Sequence, residues 1–339
     1  MKTCRNIYEE IVSFENLLSA AGKASRCKRQ TKGVLDFFYH LEDELWALHA
    51  ELKEKTWKPG AYNTFYIYKP KHRMISAAPF RDRVVHHALI NRIGPVMERS
   101  MIHDSYANRK GKGTHKAIKR YQQYLRRFQY VLKCDIRKFF PSIDHDILKV
   151  LLYRKFACPE TRWLIATVID NGNAQESPLD YFPGDMLFTP FERTKGLPIG
   201  NLTSQFFANY FLNGFDHFVK ETLHCKGYVR YVDDFVLFSN SKEELRQWEK
   251  EIEAFLEILR LKLNPEGTAL YPSSEGRPFL GQIVFPSHRL LPSANVRAFK
   301  KKLTALETAP IEKRQSSIAG WTGHARQADT RRLREVLGV

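Results

Sequence analysis

The chain has 339 residues, of which 43% are hydrophobic and 13% aromatic, enough apolar material for a large buried core and more than one subdomain. This composition excludes a mainly disordered protein. The 54 Lys and Arg outnumber the 37 Asp and Glu and give a formal net charge of +17, so we expect an acidic partner, with nucleic acid ahead of an anionic membrane surface.

The sequence contains no signal for a membrane or for disulfide bonds. No run approaches the roughly 20 consecutive apolar residues of a membrane-spanning helix, and the first residues, MKTCRNIYEE, lack the apolar core of a signal peptide. The five cysteines are scattered without a C-x-x-C pair, which predicts reduced thiols. We therefore expect a soluble, cytoplasmic protein with no membrane association.

Hydrophobic periodicity predicts the first elements. In chain order these are an amphipathic helix at 34–54, a hairpin from 62–68 and 74–77, and helices at 82–93 and 114–128. Thr114 is expected to cap the last of these helices.

The second half of the chain alternates β-prone and helical segments. We predict strands at 130–135 and 279–285, a hairpin at 227–238 with Asp233 and Asp234 at its tip, and helices at 202–219, after a capping box of Ser241 and Glu244, at 295–306 and from 316 onward. This order predicts an α+β fold in which helices cover one side of an antiparallel sheet.

The basic residues are concentrated in two regions. Residues 101–140 contain eleven Lys and Arg but only two Asp, and residues 289–339 contain eleven Lys and Arg against four acidic residues. Aromatic residues are interleaved with the cations in both regions, as in a groove that follows a phosphate backbone. A generally cationic, soluble surface would give the same composition.

Three aspartates fall at the ends of predicted strands, namely Asp135, Asp233 and Asp234. If these strands are neighbours in one sheet, the three carboxylates converge and repel one another unless cations are present. Two Mg²⁺ ions about 4 Å apart would remove the repulsion and support phosphoryl transfer. Each aspartate alone fits an ordinary turn or strand end, but their combination in a basic, aromatic-rich chain favours catalysis.

Seven segments, in order, resemble the motifs of reverse transcriptases. They are KPKHRMISAAPFRDRVVHHAL, SYANRKGKGTHKAI, VLKCDIRKFFPSIDHDIL, GLPIGNLTSQFFANYFLN, YVDD, LKLNPEGT and FLGQIVF. The resemblance implies a right-hand polymerase, with fingers at 1–129 and part of 151–195, a palm at 130–286 and a helical thumb at 287–339. It also implies an RNA-directed DNA polymerase that uses an RNA template, a DNA or RNA primer, dNTPs and two Mg²⁺ ions.

The resemblance assigns roles to individual residues. Asp135, Asp233 and Asp234 are the catalytic and metal-binding aspartates, and the backbone carbonyl of Ile136 is a further metal ligand. The nucleotide-binding residues are Arg73, Lys69, Phe140, Ile199 and Gln205, where the Phe140 ring leaves no room for a ribose 2′-hydroxyl. The nucleic-acid-binding residues are Arg109, Lys110, Lys112, Phe279, Leu280, Gly281, Lys300 and Lys301. Arg81 and Arg83 are secondary candidates for the triphosphate, or ordinary surface arginines.

The fourth motif resembles one subfamily. Reverse transcriptases commonly have Leu-Pro-Gln-Gly here, whereas Ile199 gives Leu-Pro-Ile-Gly with a downstream Ser-Gln, as in diversity-generating retroelements. This resemblance implies error-prone cDNA, with errors concentrated at template adenines, and a small basic accessory variability protein as partner. An apolar side chain at this position would constrain base-pair geometry less strictly than Gln, which lowers the discrimination between right and wrong bases. Ile199 also fits a simple packing substitution.

Two other functions stay open from the sequence. One is a retron, CRISPR-associated or group II intron reverse transcriptase, and the other is a non-catalytic RNA-binding scaffold. The sixth motif also departs from the family, because Gly267 occupies the place of a usual Lys. Either Lys262 or Arg277 replaces that Lys near pyrophosphate, or the step is slower.

Overall fold

The computed structural model describes residues 6–68, 72–172 and 178–339. The helices of this part are α1 (Tyr8–Val12), α2 (Phe14–Ala24), α3 (Lys32–Tyr39), α4 (Leu41–Lys53), α5 (Phe80–Glu98), α6 (Thr114–Leu125), α7 (Phe139–Ser142), α8 (His145–Lys155), α9 (Pro159–Asp170), α10 (Thr189–Glu192), α11 (Leu202–Phe211), α12 (Asn213–His217), α13 (Lys242–Ile258), α14 (Ser293–Ala305), α15 (Ile311–Ala325) and α16 (Arg331–Leu337). A π-helical turn, Phe218–Thr222, follows α12. The strands are β1 (Asn63–Ile67), β2 (Arg73–Ala77), β3 (Tyr130–Asp135), β4 (Gly227–Tyr231), β5 (Asp234–Ser239), β6 (Ala269–Pro272), β7 (Arg277–Phe279), β8 (Gln282–Val284) and β9 (Arg289–Leu290).

The structure corrects three predicted elements. The helix expected at 34–54 is interrupted at His40, whose φ of −110° and ψ of 34° are not helical. The long buried helix expected at 202–219 is divided: α11 ends at Phe211, and α12 and the π-helical turn follow it as separate elements. The strand expected at 279–285 is a hairpin, because Leu280 and Gly281 have φ values of 47° and 86° and reverse the chain between β7 and β8.

The two predicted helix caps are only partly right. The Glu244 amide donates to the Ser241 hydroxyl at 3.1 Å, but the Glu244 carboxylate accepts from Ser239 instead of completing the capping box. Thr114 is the first residue of α6, and its hydroxyl donates to the Tyr231 hydroxyl at 3.1 Å. Thr114 therefore joins α6 to the hairpin that contains YVDD and does not cap its own helix.

The chain divides into two compact units, of which the first comprises Met1–His103, Ile136–Thr222 and Glu251–Asn264. It contains the antiparallel hairpin of β1 and β2 and most of the helices. Helix α5 is buried along most of its length because it packs against both α2 and α11. Helices α5 and α11 approach each other closely at Gly94, since a Cβ added at Gly94 would lie 3.2 Å from the Phe206 ring.

The second unit comprises Asp104–Asp135, Leu223–Lys250 and Pro265–Val339. Its main sheet has the order β4-β5-β3-β6, and every neighbouring pair is antiparallel. Helix α6 covers β4 and contributes a buried face to the hydrophobic core. In this core the Tyr121 ring stacks at 4.4 Å on a ring of the three-stranded sheet β7-β8-β9 and contacts Phe238 edge-on at 5.4 Å. This sheet and its covering helix confirm the α+β arrangement expected from the sequence.

Across the described ranges, every helix is either too short or too polar to cross a membrane.

Candidate active site on the antiparallel sheet

The register of the central strands brings two of the three predicted aspartates together. Strands β3 and β5 are antiparallel, and Asp135 is paired directly with Asp234 at the end of this ladder. Directly opposed residues project from the same face of a sheet, with Cβ atoms about 5 Å apart. The predicted convergence of Asp135 and Asp234 therefore follows from strand pairing, and both residues are half-buried.

Asp233 lies beside them in the turn of the β4–β5 hairpin. Tyr231 pairs with Asp234, so Val232 and Asp233 form a two-residue loop. Val232 has a φ of 60°, in the left-handed region that a β-branched residue rarely adopts. Such a conformation costs about 1–3 kcal/mol, and it fixes the turn that carries Asp233.

A buried arginine that the sequence analysis did not single out supports this turn. Arg230 has 0% exposure, and one of its guanidinium nitrogens (Nη1) donates to the Val232 carbonyl at 3.0 Å. Its backbone amide donates to the Asp104 carbonyl at 2.9 Å, and its own carbonyl accepts from the Tyr106 amide at 2.9 Å. An arginine inside the apolar run YVRYV was the available signal, because such a charge is buried only with partners.

Asp104 links the same strand to α6, because its backbone carbonyl accepts from Arg230 and its carboxylate accepts from side chains of α6. The carboxylate accepts from Arg120 at 3.1 Å, from the Tyr124 hydroxyl at 3.1 Å and from the Tyr106 hydroxyl at 3.3 Å. Burial, followed by the charge of Asp104, raises the pKa of Tyr124 to about 12. Tyr124 therefore stays a neutral hydrogen-bond donor at physiological pH.

Lys133 is a second residue that the sequence analysis did not assign to the site. Its Nζ lies 3.6 Å from Asp234 Oδ1, and both side chains are partly exposed. Lys133 and Asp135 are two residues apart on β3, so they share a face of the sheet. This alternation could have identified Lys133 from the sequence.

The three aspartates supply the hard oxygen ligands that Mg²⁺ prefers. Within the residues that the structure describes, no set of three His, Cys, Asp or Glu side chains is arranged closely enough to hold one ion. The donor chemistry at Asp135, Asp233 and Asp234 nevertheless fits a divalent cation. Ile136, whose carbonyl was predicted as a further ligand, is buried and forms a β-bridge with Leu263.

In the first unit, the structure joins strand β2 to the fourth motif. The Ser76 amide donates to the Ile199 carbonyl at 2.8 Å. The Asn201 side chain donates to the Ser76 carbonyl at 3.1 Å and accepts from the Ala78 amide at 3.3 Å. A Cβ at Gly200, which has a φ of 120°, would lie 3.0 Å from Ile75. Asn201 is a positioning residue that the sequence analysis missed; its place directly before α11 was the available signal.

The predicted nucleotide-binding residues have graded exposure. Arg73, on β2, and Gln205, on α11, are exposed, whereas Phe140 and Ile199 are half-buried. The neighbouring Phe139 is in the core, so of the two phenylalanines Phe140 is the accessible one. The predicted residue Lys69 lies outside the described residues.

Several cations considered for the triphosphate or pyrophosphate are engaged in ion pairs. Arg81 donates to Glu51 with two nitrogens at 2.8 Å, and with a third to Glu44 at 2.9 Å. Lys262 Nζ lies 3.4 Å from an oxygen of Asp180. Arg277 forms an ion pair with Glu275 at 2.7 Å. Arg83 donates a hydrogen bond to the Ala78 carbonyl at 2.7 Å.

The predicted nucleic-acid-binding residues fall into two groups. Most are exposed or half-buried: Arg109, Lys110 and Lys112 in the loop before α6, Leu280 and Gly281 in the β7–β8 turn, and Lys300 and Lys301 on α14. Phe279 has 1% exposure and stacks on Tyr121. Its ring is therefore part of the core in this structure, and its assignment to nucleic-acid contact stays a prediction.

Two known proteins are similar in sequence to this chain. The chain is 25% identical over 319 positions to Protein YkfC of Escherichia coli strain K12, covering 82% of this chain and 78% of that protein. It is 23% identical over 339 positions to the group II intron-encoded protein LtrA of Lactococcus lactis subsp. cremoris, covering 80% of this chain but only 54% of LtrA.

A solved structure of apo telomerase from Candida Tropicalis, truncated from the C-terminal domain, is 14% identical. It matches 71% of this chain and 58% of that chain with a TM-score of 0.47.

The sequence profile described as "Reverse transcriptase (RNA-dependent DNA polymerase)" matches residues 57–284. This range includes β1 to β8, the three aspartates and the segment Gly196–Asn201. The chain therefore belongs to the reverse transcriptase family, whose members are RNA-directed DNA polymerases with a right-hand fold.

Proposed function

We propose that this protein copies RNA into DNA at the end of the β3–β5 ladder. The observation that carries the proposal is the direct pairing of Asp135 with Asp234, with Asp233 next to them in the turn. Carboxylates at one point of a rigid sheet can hold cations with little rearrangement. The substrates are an RNA template, a DNA or RNA primer and dNTPs.

Asp135, Asp233 and Asp234 would hold two Mg²⁺ ions, together with the carbonyl of Ile136. When bound, the ions lower the pKa of the primer 3′-hydroxyl and stabilise the negative charge on the leaving pyrophosphate. The protein contributes a fixed backbone at the turn, because Val232 is held in its strained conformation by the Arg230 guanidinium. We assign fingers to 1–129 and part of 151–195, palm to 130–286 and thumb to 287–339.

The incoming nucleotide is selected by residues of the first unit. Arg73 and Lys69 bind the triphosphate, and a permanently charged guanidinium is suited to that role. Phe140 excludes a 2′-hydroxyl, since its ring is accessible while that of Phe139 is buried. Gln205 contacts the nucleotide from α11.

We assign the protein to the diversity-generating retroelements, in which a template-repeat RNA is copied with errors at adenines for mutagenic retrohoming. The supporting observation is the apolar Ile199 in the segment that hydrogen-bonds to strand β2. An aliphatic side chain makes no hydrogen bond to the nascent base pair, so discrimination between bases is weaker. A small basic accessory variability protein is the proposed partner.

A group II intron type of reverse transcriptase is the second candidate, and the similarity to LtrA favours it. The two candidates differ in fidelity. The test is primer extension on an RNA template with Mg²⁺ and four dNTPs, followed by sequencing of the cDNA, with Asp233→Ala as the inactive control.

Errors concentrated at template adenines would support the retroelement assignment. Uniformly accurate cDNA would overturn the retroelement assignment, whereas the proposed polymerase activity would stand. If no product forms even with cognate RNA and a co-expressed accessory protein, the polymerase proposal fails and the RNA-binding scaffold becomes the favoured function.

A further inference from the structure

The segment from Ser105 to Cys134 contains nine Lys and Arg and no Asp or Glu. Helix α6 lies in the middle of it. Such a segment produces a strong positive potential, because no carboxylate within it compensates the charge. The site described above uses Arg120 of this helix, through its ion pair with Asp104, and gives no role to Lys116 or Lys119.

The structure sorts these residues onto opposite sides of α6. The buried side consists of Ala117, Ile118, Tyr121, Tyr124 and Leu125, which join the hydrophobic core. The exposed side chains include a set at steps of three and four residues, namely Lys116, Lys119, Gln123 and, two residues after the helix, Arg127. We call these four residues the α6 ridge. They form one stripe, since residues three or four apart are neighbours on a helix surface.

The α6 ridge begins beside the catalytic hairpin and runs away from it. At the N-terminal end, Thr114 donates to the Tyr231 hydroxyl at 3.1 Å. At the other end, the Phe128 ring lies against Gly227, since a Cβ added at Gly227 would be 2.8 Å from this ring. Helix α6 is therefore antiparallel to β4, and its 12 residues extend for about 18 Å.

Nearby contacts leave the positive charge in place. The Lys116 Nζ donates to the Gly111 carbonyl at 2.5 Å, and Arg126 donates to the Pro286 carbonyl at 2.6 Å. Carbonyl oxygens orient these cations without neutralising them. The carboxylate of Asp104 pairs with Arg120, which lies next to the ridge. A stripe of oriented cations beside an active site suits a phosphate backbone.

We propose that the α6 ridge binds the backbone of double-helical RNA, in a stem of the template RNA that lies outside the copied segment. The proposal rests on the proposed function, because it takes its ligand from the RNA that the enzyme copies. A helical stripe in which three of the four side chains are cations contacts mainly phosphates and follows helix shape, which is how proteins bind A-form RNA. Anchoring a stem there would hold the template close to the catalytic hairpin.

The test uses the full chain and a blunt RNA duplex of 16 base pairs, with a DNA duplex of the same sequence for comparison. The ridge variant carries Lys116→Glu, Lys119→Glu and Arg127→Glu. The matched control carries Lys32→Glu, Lys53→Glu and Lys58→Glu, which makes the same charge change at exposed positions of the first unit. Affinity is measured by fluorescence anisotropy over a series of salt concentrations.

We expect the ridge variant to bind the RNA duplex at least about tenfold more weakly than the control variant, with a shallower dependence on salt. The wild-type chain should bind RNA more tightly than DNA. Equal losses in both variants would overturn the proposal, and so would tighter binding of DNA. If the charge reversals unfold the protein, the corresponding Gln substitutions should show a smaller loss in the same direction.

Primer extension separates this proposal from the proposed function. On a short RNA template without a stem, the ridge variant should synthesise DNA at the wild-type rate. A template with a flanking stem should show a raised KM in the ridge variant and an unchanged kcat. If the wild-type chain binds the duplex through the ridge but makes no DNA, the polymerase proposal fails, and binding of double-helical RNA by the ridge stands without a template as its source.

Discussion

Lys133 Nζ lies 3.6 Å from Asp234 Oδ1, and Lys133 is two register positions away from the Asp135–Asp234 pair. The lysine therefore offsets part of the negative charge that the aspartates gather at this end of the sheet. A divalent cation that binds these carboxylates is repelled by the positive charge of the Lys133 ammonium group. Lys133 and the divalent ion thus compete electrostatically for Asp234.

Replacing Lys133 by Gln should tighten divalent metal binding by a few-fold. The effect is modest because both partners are partly exposed and water screens the interaction. Mn²⁺ titration followed by electron paramagnetic resonance measures the affinity without requiring turnover. Lys138→Gln is a control, since Lys138 is exposed and lies beyond β3; equal effects of the two substitutions would contradict this interpretation.

Replacing Val232 by Gly should relieve strain at the hairpin tip. Glycine adopts positive φ without a steric penalty, so the free energy of unfolding should rise by up to about 1 kcal/mol. Val232→Ala keeps the strained conformation and loses packing, and it should lower stability instead. Urea denaturation of both variants distinguishes strain from packing, and a loss of stability in both would show that the turn is not strained.

Replacing Asn201 by Ala should loosen the link between strand β2 and the fourth motif. Asn201 has 3% exposure and makes two hydrogen bonds to the β2 segment, so we expect a loss of about 2 kcal/mol in unfolding free energy. Since Arg73 lies on this strand, the KM for dNTP should rise while the KM for primer–template stays constant. Steady-state kinetics with each substrate varied in turn tests the prediction, and an equal rise in both KM values would contradict it.

Replacing Phe140 by Ala should admit ribonucleotides. The proposed role of this ring is steric, and removing it should reduce the preference for dNTP over rNTP by about tenfold or more. The measurement compares kcat/KM for dGTP and GTP on one template. Phe139→Ala is the contrasting variant, because Phe139 is in the core and its loss should lower stability by about 3–5 kcal/mol without admitting rNTPs. Unchanged sugar selection in Phe140→Ala would remove Phe140 from the site.

Much of the candidate site could be predicted from the sequence because local patterns carry it. The β-prone residues of YVLKCD and GYVRYVDDFVLF were sufficient to predict one strand and a hairpin with Asp233 and Asp234 at its tip, and the structure contains them as β3 and the β4–β5 hairpin. The seven ordered motifs identified the family that the profile match then showed. The break in the helix at His40 and the chain reversal at Leu280 and Gly281 could not be predicted in this way. The apolar pattern continues through these residues, although the backbone conformation changes there.

The sequence by itself determined the chemistry of this protein: three carboxylates at strand ends, a strong excess of cations and a β-prone frame around YVDD. Only the tertiary structure decided which residues meet. Strand register placed Lys133 beside Asp234, and burial assigned Phe279 to the core and Arg230 to the support of the turn. Register and burial depend on contacts between segments distant in the chain, so a local pattern could mark Lys133 and Arg230 as candidates but could not establish their partners.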